Sequence, residues 1–150
     1  MRKRDLFYQE LRKLAEEMHF CPEKDVMDME SLMNVSETLC WICEETRNEG
    51  LLWMGCEEVC KRIRSLPMSN ELRIMMDLTS DGTEPETLEE LFITRYFVKN
   101  FSGKEGFLYL LYMDVMLEVR VCENPRLVME RICSYMPDEV GLELNRKWEA

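Results

Sequence analysis

Residues 40–60 read CWICEETRNEGLLWMGCEEVC, and the path of the backbone through their middle decides the fold. Two readings compete. If the chain turns back at Arg47-Asn48-Glu49-Gly50, then Cys40, Cys43, Cys56 and Cys60 converge, and four thiolates could hold a tetrahedral zinc. If the chain runs on as a helix, Cys40 and Cys60 lie about 30 Å apart at 1.5 Å per residue, and one metal cannot reach both. Cysteines at i,i+3 and i,i+4 on an apolar stripe also need no ligand, since free Cys buries readily. Asn48 and Gly50 serve equally as a helix stop or as residues inside a longer helix, so the residues leave both paths open.

The flanking pattern is helical on both sides. Leu32, Val35, Leu39 and Ile42 form one stripe, and Leu52, Cys56, Val59, Ile63 and Leu66 another, closed by Pro67. Upstream, Phe7, Leu11, Leu14 and Met18 make an amphipathic helix that ends at Cys21-Pro22. Downstream, Ser69 or Asn70 caps a short helix over 69–78. Thr83-Glu84-Pro85-Glu86 has capping-box spacing and opens a helix carrying Leu88, Leu91, Phe92 and Tyr96 to about residue 100. Another helix is expected from Glu105 to about Val121. The last begins at Asn124-Pro125, a capping residue followed by Pro at the first helical position, and stops before Pro137. No βαβ alternation and no hairpin signal interrupts this series.

Composition bounds the function classes. The chain has 150 residues, 46% of them hydrophobic and 33% charged, which suits one domain with its own core and a solvated surface. Its net charge of −11 repels phosphates, so no nucleic-acid partner is expected, and Arg2-Lys3-Arg4 would make only a weak membrane-surface anchor. The longest apolar run, Phe107 to Met113, falls well short of the roughly 20 residues a spanning helix needs. No apolar signal segment follows the N-terminal charges, and seven cysteines suit a reducing compartment. A soluble, cytoplasmic protein is expected.

Catalytic signals are weak. His19 is the single histidine, and acyl transfer would hang on it alone. Adjacent acids such as Glu57-Glu58 and Glu89-Glu90 point to different sides of a helix and read as solvated faces. The six glycines form neither GxGxxG nor GxxxxGK[ST]. Cys40-Trp41-Ile42-Cys43 lacks the strand-to-helix context of a redox pair.

Three strings carry a resemblance to a known family. RNEGLL at 47–52 is similar to the R-x-E-G-L-L-A-L-E start of the cytoplasmic region of MotA, the proton-channel subunit of the flagellar stator. LTSDGTEPE at 78–86 resembles the DGTDPE turn that follows it there. VCENPRLV at 121–128, running to Ser134-Tyr135-Met136-Pro137, resembles the family's C-terminal GENPR stretch. The three occur in the family's order over about 45–138. The resemblance implies that the EGLL segment continues one long helix, which would make the four cysteines packing residues. It departs from the family in two respects. The chain has no room for the membrane spans, and Gly55 stands where the family carries a rotor-contacting Glu, although Arg47 matches the preceding Arg.

The expectation is therefore an all-α, single-domain helical bundle of five to seven helices with one long central helix, covering residues 1–150. Its expected role is a non-enzymatic protein-interaction module without cofactor or metal. The resemblance implies the flagellar switch protein or the stator itself as partner, met by Arg47, Glu49, Glu57, Glu58, Lys61 and Arg62. Gly50, Asp81, Gly82, Thr83, Asn124, Pro125 and Arg126 are read as structural motif residues. The alternative is a small zinc-stabilised helical module built on the four cysteines. The oligomeric state is left open.

Overall fold

The computed structural model describes residues 5–6, 8–10, 12–13 and 27–149. The stripe over Phe7, Leu11, Leu14 and Met18, together with His19 and Cys21, lies outside the described residues. Everything regular that is described is helical. The elements are α1 (Met29–Glu49), a 3-10 turn (Leu51–Gly55), α2 (Glu57–Ile63), α3 (Ser69–Ser80), α4 (Pro85–Lys99), α5 (Gly103–Arg120), α6 (Pro125–Ser134) and α7 (Asp138–Glu149). These eight elements exceed the expected five to seven. Beyond the expected helices are the 3-10 turn and α7, in which Val140 and Leu144, one helical turn apart, are buried and Trp148 packs partly against the core.

The long helix through residues 47–50 does not form. α1 ends at Glu49, where Gly50 takes φ 97° and ψ 166° and returns its N–H to the Thr46 carbonyl. That backbone conformation is essentially confined to glycine. The 3-10 turn then leads to an extended Cys56 before α2 starts. The apolar stripe breaks with the backbone: Val59, Ile63 and Leu66 are buried, but Leu52 is 82% exposed and Met54 takes the inward place.

The centre of the molecule is α5 instead. Every residue from Gly106 to Met116 is buried. A helix apolar on all sides is stable only when wrapped by others. α1, α3, α4 and α6 all pack on it, and α7 closes the far side against α1 and α6. One apolar core draws on each of the helices α1 to α7. Two buried tyrosines of α5 keep their polar tips satisfied. Tyr109 donates to the Phe92 carbonyl at 2.7 Å, and Tyr112 to the Pro67 carbonyl at 2.7 Å.

Local capping follows residue chemistry, with two corrections. α3 is entered through Met68 in the left-handed region (φ 54°), so Ser69 is already helical and does not cap. α4 begins with Pro85, which makes Glu84 the residue before the helix, without a side-chain cap. Proline at the first helical position fixes that boundary. The Thr83 hydroxyl turns back and donates to the Leu78 carbonyl at 2.8 Å, closing α3. Gly82 supplies the positive φ of 79°, exposed Asp81 donates its N–H to the Asp77 carbonyl, and Arg120 donates to the Gly82 and Thr83 carbonyls. At α6, Asn124 accepts from the Arg126 N–H at 2.9 Å, Pro125 follows, and Arg126 pairs with Glu130 at 3.3 Å.

Candidate interaction surfaces

Arg47, Glu49, Glu57, Glu58, Lys61 and Arg62 are all exposed. They lie on the end of α1 and on α2, with the 3-10 turn between, and not along one rod. Lys61 pairs with Glu57 at 3.6 Å, both well exposed, a contact that contributes about 0.3–0.5 kcal/mol at most. Arg62 is held by packing: its guanidinium lies 4.1 Å over the Trp41 ring, and Trp41 meets Trp53 edge-on with centroids 5.1 Å apart. Exposed Leu52 stands next to Trp53.

The cysteines of the opening stretch go different ways. Cys40, Cys43 and Cys60 are buried, and Cys56 is half-buried. Among the described residues no group of three or more His, Cys, Asp or Glu is placed to hold a metal ion. Burial pushes the Cys40 and Cys43 thiols up to about 12, with smaller contributions from neighbouring thiols and carboxylates around Cys40. Both thiols are protonated at neutral pH. Beside Cys43, Thr46 is buried with its hydroxyl lacking a hydrogen-bond partner among the described residues.

A broad groove lies elsewhere, between α3 and α4. Both helices rest on α5 and touch each other little, so a groove of about 540 Å³ opens between them. From α3 it is lined by Glu71, Ile74, Met75 and Leu78, and from α4 by Thr87, Glu90, Leu91, Thr94, Arg95 and Val98, with Lys99 at the helix end. Both sets follow the i, i+3, i+4, i+7 rule, so each is a single face of its helix. The groove is predominantly apolar, and Ile74, Leu91 and Val98 are 39%, 46% and 76% exposed. Arg95 bridges the two walls through two hydrogen bonds to the Glu71 carboxylate, at 2.7 and 2.9 Å. Of the apolar residues that the sequence places on this helix, Leu88, Phe92 and Tyr96 are buried and Leu91 is not. Its exposure follows from α4 being apolar on more than one side while only one side reaches α5. Leu91, Phe97 and Val98 are the apolar residues of α4 that do not reach the core.

Charges around the groove are segregated. Asp77, Asp81, Glu84, Glu86 and Glu90 lie toward the α3–α4 turn, whereas Arg73 and Lys99 belong to the other halves of the two helices, together with the paired Arg95 and Glu71. No helix among the described residues is long and apolar enough to cross a membrane. Comparison with known protein families, with curated proteins and with solved structures finds no match.

Proposed function

We propose that this chain is a protein-interaction module that takes an amphipathic helix into the groove between α3 and α4. One observation carries the reading. Apolar side chains of two neighbouring helices are left exposed along parallel faces, with Ile74 on one wall and Leu91 and Val98 on the other. Grooves of this kind are filled by helices whose own anchors repeat at i, i+3, i+4 and i+7. Exposed apolar patches rimmed by charge mark interaction sites. The flagellar stator and its switch protein remain partners implied by the resemblance alone, and the 47–62 surface is where that contact would fall.

The test places a photoreactive phenylalanine analogue at Phe97, which is exposed on α4 beside Val98, in the native host. The same analogue at exposed Leu142 on α7 serves as the control. A protein adduct of one defined mass at position 97, lost when Leu91→Glu is added, is the expected result. Irradiation that gives no adduct at 97 beyond the Leu142 control overturns the reading.

A further inference from the structure

We infer that the occupant of the groove is a second copy of this chain, paired through α4 about a two-fold axis. The inference rests on reading the groove as a helix-docking site and names what docks there. It comes from the order of residues along the exposed face of α4. After Thr87 in the first turn, and leaving out buried Phe92, that face reads Glu90, Leu91, Thr94, Arg95, Val98, Lys99. Reversed about the midpoint between Thr94 and Arg95, the set falls on itself: Glu90 opposite Lys99, Leu91 opposite Val98, Thr94 opposite Arg95. Two α4 helices laid antiparallel in that register place acid against base at both ends of the seam and apolar against apolar within it. At its centre they set Thr94 against the Arg95–Glu71 ion pair. An isologous two-fold contact demands this self-complementarity, because every residue i that meets j must also be met by j.

The surroundings point the same way. The acidic residues near the α3–α4 turn (Asp77, Asp81, Glu86) would lie over the half of the partner copy that carries Lys99 and Arg73 besides the Arg95–Glu71 pair. A foreign helix of uniform charge would be favoured at one end of this groove and opposed at the other. The net charge of −11 opposes self-association at long range, so the contact depends on local segregation and is sensitive to salt in both respects.

The experiment is light scattering and sedimentation equilibrium on the purified full chain. The native protein is expected at twice the 18.0 kDa chain mass. Val98→Glu should give monomer with an unchanged circular dichroism spectrum, since Val98 is 76% exposed and supports no core. Glu90→Lys and Lys99→Glu should each raise the dimer dissociation constant by about tenfold or more, because each creates two like-charge contacts per dimer. The double variant Glu90→Lys with Lys99→Glu should return it toward the native value. A native chain that is monomeric at about 100 μM, a concentration at which even weak specific dimers populate, overturns the inference. So does a dimer indifferent to Val98→Glu, or a double variant no better than its singles. If the native chain is monomeric while the Phe97 analogue captures a foreign protein, the second-copy inference fails and the groove reading stands.

Discussion

Asp114 on α5, only 2% exposed, accepts two hydrogen bonds from Arg131 on α6, from Nη2 at 2.6 Å and from Nε at 3.2 Å. The same guanidinium donates to the Tyr8 hydroxyl at 3.0 Å and lies 3.9 Å from Glu118. Burial alone would lower the Arg131 pKa, but the Asp114 hydrogen bond and charge, with Tyr8, raise it above the ordinary value. The carboxylate is deep and the guanidinium is partly exposed, so the two halves of the pair are not equivalent.

That asymmetry gives the first prediction. Arg131→Ala removes both guanidinium hydrogen bonds from a buried carboxylate and should cost about 3–5 kcal/mol. Asp114→Ala leaves an arginine that can turn toward solvent and Glu118, and should cost less. The double change Asp114→Leu with Arg131→Met should recover much of the loss, because apolar pairs of similar volume often replace buried ion pairs without penalty. Urea denaturation of the four proteins checks the order. Equal losses for the two single variants would refute it.

Gly50→Ala should destabilise by about 1–3 kcal/mol. A Cβ at this position would meet nothing within 4 Å, so the cost is backbone strain at φ 97° and not a clash. A midpoint shift without a change in denaturant slope identifies it. An unchanged midpoint would mean that α1 can run on through Glu49, as the stator resemblance implies.

Two buried threonines should respond oppositely to valine. Thr46 keeps an unpartnered buried hydroxyl, so Thr46→Val removes a desolvated polar group and should be neutral or stabilising by up to about 1 kcal/mol. Thr79 donates to the Met75 carbonyl at 2.7 Å, so Thr79→Val should destabilise by about 1 kcal/mol. Thermal unfolding of the pair decides the matter, and a loss at Thr46 equal to that at Thr79 contradicts the assignment.

Stability should fall as pH rises above about 9. Cys40 and Cys43 have a reference value of 9.0 and are pushed up to about 12 by burial. Tyr96 and Tyr135 rise from 10.0 to about 12, also chiefly by burial. Between these values the unfolded chain has released protons that the folded chain still holds. The slope of unfolding free energy against pH is therefore negative from about 9 to 12. Cys40→Ala with Cys43→Ala should flatten the lower part of that fall. In the native state at neutral pH, iodoacetamide should modify exposed Cys122 well before Cys40 or Cys43, as peptide mass spectrometry would show.

The helical class and most helix positions were legible in the residues themselves. Leu32, Val35, Leu39 and Ile42 repeat at the helical period and are all buried, and Asn124-Pro125 starts α6 by local chemistry that needs no neighbours. Periodicity could not say whether α1 continues past Gly50, because glycine is compatible with a helix interior and with the conformation it adopts here. The choice falls to packing: the 3-10 turn brings Met54 into the core at the expense of Leu52, a trade visible only when the rest of the core is in place. Nor could sequence find the groove. Leu91 and Val98 carry the same apolar signal as Leu88 and Phe92, and only the placement of α3 and α4 side by side on α5 decides which of them meets the core and which meets solvent.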